Sequence, residues 1–120
     1  MIFDLLNNSK FQLYLFHLLI VPLIIYFILF KSTKLIYTLS KILGIIVILY
    51  HIYKFIQSYK LGFISYVNLI HILIIGPLLL LVGILEKNTP LVINDFLLIL
   101  IFGSIVVFLN KILKIINVYE

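Results

Sequence analysis

The chain has no cysteine, tryptophan, alanine or arginine, and only 11% of its 120 residues are charged. Without cysteine there are no disulfides, iron–sulfur clusters or thiolate metal sites. So little charge excludes an ordinary soluble domain, in which about a quarter of the residues are charged. No phosphate loop, nucleophile elbow, potassium-filter sequence or paired-carboxylate arrangement is present. The four acids, Asp4, Glu86, Asp95 and Glu120, stand at the ends of apolar runs or at the termini, where water reaches them. Enzyme chemistry is therefore not expected. Alternating apolar and polar residues are also missing, and a membrane-spanning sheet would need them.

What the chain does have is apolar length. It is 65% hydrophobic, arranged in four long runs that are too apolar for one small core and so must face lipid. Its nine cations are all lysines, against four acids, for a net charge of +5. The lysines flank the apolar runs instead of clustering, which suits headgroup anchors better than a nucleic-acid patch. The start, MIFDLLNNSK, lacks a basic leader, and no small-residue cleavage site follows, so the first run reads as a retained span.

The runs place span one over 11–30, span two over 35–53, span three over 65–85 and span four from Leu91 or Phe96 to Leu113. At 1.5 Å per residue each is long enough to cross a hydrocarbon core as a helix. Lys31, Ser32, Thr33 and Lys34 form the first turn, and 54–63 is polar enough to be the middle connection. Glu86 to Pro90 form the last turn. Thr89-Pro90 suits the opening of span four, and Asn94 or Asp95 could cap a later start. Lys41, just inside span two, reads as a snorkelling side chain. The first ten residues fit either an interfacial helix or a frayed end. Five lysines on the side of both termini against four on the other slightly favour cytoplasmic termini.

Three histidines and an asparagine stand out inside the spans. His17 is early in span one, His51 late in span two, His71 early in span three and Asn110 late in span four. Antiparallel helices alternate direction, so all four are expected near one leaflet as a buried polar layer. Three readings of the histidines follow. In the first, they hydrogen-bond across helices, to Asn110, Asn68, a tyrosine such as Tyr50, or a carbonyl freed by proline. In the second, two of them bind a haem between facing helices, or three hold a zinc ion. In the third, they relay protons. The bulky Ile and Leu of the spans leave little room for a macrocycle or a water path, which favours the first.

The two halves resemble each other. His17, Pro22, Gly44 and His51 in the first half correspond to His71, Pro77, Gly103 and Asn110 in the second. Gly44 to His51 and Gly103 to Asn110 are both seven residues apart, whereas histidine to proline is five residues in the first half and six in the second. The expectation is a duplicated helical hairpin, over 11–53 and 66–113. Pro22 and Pro77 each remove a helical hydrogen bond and crowd the carbonyl of Leu18 or Leu73. Gly44, Gly76, Gly83 and Gly103 would let helices approach closely where lipid cannot fill a gap.

The segments NLIHILIIGPLLLLVGILEKNTP and LGIIVILYHIYK resemble small hairpin membrane proteins encoded by giant nucleocytoplasmic large DNA viruses. His71, Gly76, Pro77, Thr89 and Pro90 match that pattern in the second half, and Gly44, His51 and Lys54 match its end in the first. Asn110 stands where the second hairpin would carry its histidine, and Val21 precedes Pro22 where glycine would stand. The resemblance implies a viral membrane setting, a virion's internal membrane or a host membrane, and no particular activity. The bias toward Ile, Leu, Phe, Tyr, Asn and Lys, typical of an AT-rich genome, agrees with it.

The sequence thus predicts an all-α protein, a four-helix transmembrane bundle of one membrane domain built from two similar hairpins. It predicts a non-enzymatic structural or scaffolding role, with no metal, cofactor or nucleic-acid partner. Its partners would be the bilayer and copies of itself or other membrane proteins. A haem-binding or proton-conducting subunit of a respiratory complex is the alternative.

Overall fold

The computed structural model describes residues 2–30 and 33–119. Among them there is no strand, and the chain is all-α. A short helix α1 (Ile2–Asn7) precedes four long ones: α2 (Ser9–Phe30), α3 (Lys34–Lys60), α4 (Tyr66–Asn88) and α5 (Leu91–Tyr119). The four long helices are long and apolar enough to cross a membrane. The turn expected before α3 lies partly outside the described residues, at Lys31 and Ser32, as does Glu120 in the tail.

Side-chain caps set the helix starts. Asn8 accepts from the backbone N–H groups of Lys10 and Phe11 at 2.9 and 3.1 Å, which separates α1 from α2. Thr33 Oγ1 accepts from Ile36 N–H at 3.3 Å at the start of α3, and Ser65 caps α4 by accepting from Asn68 N–H. Helix α5 begins at Leu91, directly after Thr89-Pro90, so the later start offered by Asn94 or Asp95 is not used.

The middle connection is shorter than the sequence suggests. Helix α3 continues through the polar stretch to Lys60, and only 61–65 connect it to α4. Polarity there marks the helix leaving the apolar layer, not its end. Lys60 in the last turn complements the negative end of the helix dipole. The stop comes at Gly62, whose φ of 94° a side chain would disfavour. There Phe63 N–H bonds Ser58 C=O at 3.2 Å and Gly62 N–H bonds Tyr59 C=O at 3.0 Å, a Schellman closure.

Two compact units are present, residues 28–94 and residues 1–27 with 95–120. In the first, α3 packs closely on α4. The buried residues Tyr37, Ser40 and Gly44 follow helical spacing on α3, as do Gly76, Leu79, Val82 and Gly83 on α4. In lipid, apolar surface gains nothing by leaving its surroundings, so such a seam is held by close van der Waals contact and interhelical hydrogen bonds. Glycine makes that contact possible. A Cβ on Gly44 would lie 2.7 Å from Leu80 N and 2.8 Å from Gly76 O, and one on Gly83 would lie 2.6 Å from Lys41 N. In the second unit, Leu5, Phe11 and Ile112 form a small core with Tyr14, Leu15, Leu18, Ile115 and Ile116 around it. Leu5 ties α1 to that core while Ile2, Phe3 and Leu6 remain exposed, the amphipathic division of an interfacial helix.

Candidate functional site

Both prolines are preceded by a π-helical turn, Phe16–Ile20 before Val21-Pro22 and His71–Ile75 before Gly76-Pro77. Val21 N–H bonds Phe16 C=O and Gly76 N–H bonds His71 C=O, each five residues back. Proline supplies no N–H, and its ring crowds the carbonyl four residues back. Inserting one residue into the preceding turn is a recurrent solution in helices. Counted from the proline, His71 occupies the place of Phe16, and His17 sits one residue later. One residue turns a side chain by about 100° around an α-helix, so the two histidines do not share a face relative to their prolines.

The difference shows in their neighbours. His71 meets His51 across the α3–α4 seam, ring centroids 4.0 Å apart and planes 22° from parallel. His17 instead stacks on Phe108 of α5, centroids 4.6 Å apart, with Tyr14 tilted against the same phenyl ring at 5.6 Å. Lys111 Nζ lies 5.3 Å from the Tyr14 centroid and 5.4 Å from that of Phe108, within cation–π range. Asn110 stays on an exposed face of α5, and the three histidines are half-buried. Gly44 and Gly76 are buried in the α3–α4 seam, whereas a Cβ on Gly103 would meet nothing within 4 Å.

Acceptor chemistry assigns the imidazole tautomers. His17 Nδ1 lies 2.9 Å from Leu13 C=O and His71 Nδ1 lies 2.7 Å from Val67 C=O. A carbonyl only accepts, so both Nδ1 atoms donate. These bonds reach carbonyls four residues back, not the Leu18 or Leu73 carbonyls that the sequence suggested as partners. His51 Nδ1 lies 2.8 Å from Asn68 Oδ1, and Asn68 Nδ2 donates to Ser65 Oγ at 2.8 Å. His51 therefore donates as well, and a chain of side chains runs from α3 to the N-cap of α4. Tyr50 is not the partner: neighbours on a helix point about 100° apart, and its ring meets His51 edge-on at 5.1 Å.

This geometry limits the chemistry. Ring nitrogens present their lone pairs in the ring plane, so near-parallel stacked imidazoles cannot aim both Nε2 atoms at one metal ion between them. Rings in van der Waals contact also leave no slot for a macrocycle. Among the described residues, no group of three or more His, Cys, Asp or Glu side chains could hold a metal ion. The stacked rings bridge α3 and α4.

Sequence reasoning missed two positions that make helix-to-helix contacts, one in each unit. Ser40 is fully buried and donates to Leu79 C=O at 2.8 Å across the seam. Phe108 organises the aromatic group around His17. Ser40 could have been found by its place on the stripe running through Tyr37 and Gly44. Phe108 is one of seven phenylalanines in the apolar runs, and no pattern singles it out.

Comparison with known proteins finds no family model that matches the chain and no match among curated proteins or solved structures.

Proposed function

We propose that this protein is a non-enzymatic, multi-pass structural component of a membrane, associating with copies of itself or with other membrane proteins. A virion's internal membrane or the membranes of an infected cell are the proposed setting. The observation that carries the reading is the use of the polar residues. His51, Asn68 and Ser65 bond one another, Ser40 bonds a carbonyl across the seam, and His71 bonds its own helix. Polar groups inside membranes usually mark pathways or act as glue between helices, and the His51–Asn68 and Ser40–Leu79 bonds act as glue between α3 and α4.

The surface supports association. Only 6% of the apolar window of α5 is buried inside the chain, against 22% for α4, so α5 has the most surface left for lipid or a partner. Gly103 on that helix faces open space, where a second helix could approach closely. The paired π-turns before Pro22 and Pro77 support descent of both halves from one hairpin, with Asn110 and Val21 as later divergences.

The test is reconstitution of the purified chain in vesicles with a pH-sensitive dye inside. The proposal expects no proton flux, no Soret band after haem addition, and cross-linking of the chain to itself or to co-purifying membrane proteins. A flux abolished by His51→Leu, or a Soret band lost with it, would replace the structural reading with the conducting or haem-bearing one.

A further inference from the structure

We infer that the turn joining α4 to α5 forms a binding site for a lipid headgroup bearing a primary ammonium and a phosphate, that is, phosphoethanolamine. The inference rests on the chain crossing a bilayer, not on its structural role. A half-open cavity of about 220 Å³ lies here, lined by Tyr37, Val82, Glu86, Lys87, Thr89 and Asn94 among others. It is far larger than the roughly 30 Å³ one water occupies. Since the turn separates two spans, the cavity lies at headgroup depth.

Its polar atoms define the ligand. Asn94 Oδ1 is buried and is the one described buried side-chain N or O atom with no hydrogen-bond partner. Leaving such an acceptor unmet costs about 1–3 kcal/mol, and it calls for an N–H or O–H donor. Glu86, which bears a carboxylate, and Lys87, which bears an ammonium, also line this cavity. Glu86 has an uncommon backbone for a non-glycine residue, φ 54°, and its carbonyl accepts from Thr89 Oγ1 at 2.6 Å, which ties the turn together. An acceptor, an anion and a cation in one cavity match a zwitterion whose positive end carries N–H groups. Choline offers none to Asn94, and serine would bring a second carboxylate against Glu86.

Native mass spectrometry of the full chain, released from micelles doped with dioleoyl phosphatidylethanolamine, phosphatidylcholine or phosphatidylserine, tests this. The expected result is preferential retention of phosphatidylethanolamine, by about tenfold, as one charge-assisted hydrogen bond of about 1.5 kcal/mol would give. Asn94→Leu should abolish the preference while circular dichroism shows the helices intact. Should that variant not fold, Glu86→Gln serves in its place and should reduce the preference several-fold. Equal retention of phosphatidylethanolamine and phosphatidylcholine would overturn the inference, as would a preference that survives both substitutions. Binding of soluble phosphoethanolamine without retention of the lipid would overturn the lipid source.

Discussion

His51 and His71, twenty residues apart in sequence, lie face to face across the α3–α4 seam with ring centroids 4.0 Å apart. Each Nδ1 donates to a different acceptor, Asn68 Oδ1 for His51 and Val67 C=O for His71. The stack is thus fixed from both sides, and the histidines act as a clasp near the end of the seam that adjoins the 61–65 connection.

Replacing His51 with leucine should destabilise the chain in detergent. It removes a cross-helix hydrogen bond, worth on average about 0.6 kcal/mol in membrane proteins and at most about 2, together with the stack on His71. A double-mutant cycle with Asn68→Ala, read by unfolding in sodium dodecyl sulfate, should give a positive coupling energy. Strict additivity would show that the bond contributes nothing.

Alanine at two glycines should have opposite effects. At Gly44 the new methyl would strike the backbone of α4, and overpacking of that kind costs about 1–3 kcal/mol. At Gly103 nothing lies within 4 Å, and helix propensity favours alanine by up to about 1 kcal/mol. Thermal melts followed by circular dichroism measure both. A neutral Gly44→Ala would mean that the helices do not approach so closely.

Ser40→Ala should cost about 0.5–1.5 kcal/mol through loss of its bond to Leu79 C=O. Ser40→Leu should cost more, since the site is fully buried. Melts that fail to fall in that order would place Ser40 outside the seam.

Phe108→Ala should cost about 1 kcal/mol or more, because that ring stacks on His17 and touches Tyr14. Asn110→Leu, at an exposed position of the same helix, should stay within about 0.5 kcal/mol of the parent. The reverse ranking would restore the expectation that Asn110 carries the polar role.

The four long helices were legible because runs near twenty apolar residues have few physical alternatives. Helix α3 was expected to end at Tyr53 because polarity reports where a helix meets water, whereas Gly62 reports where it stops. Asn68 was among the partners weighed for the histidines, and the structure selects it for His51. The neighbours of His17 were not legible. They depend on the residue inserted by the π-turn, which changes the facing of everything before it and leaves no compositional trace. The close backbone contact between α3 and α4 was not legible either. Ser40, Gly44, Gly76 and Gly83 permit it, and their significance depends on knowing which faces meet.

The most direct test of the bilayer-crossing account uses the absence of native cysteine, which makes any introduced thiol a unique reporter. Cysteines placed singly at Asn8, Lys34, Gly62 and Lys87 in oriented vesicles would be exposed to a membrane-impermeant maleimide from one side. Four crossings predict that Asn8 and Gly62 are modified together, and that Lys34 and Lys87 are modified only from the opposite side. Modification of Gly62 and Lys87 from the same side would contradict the crossing of α4.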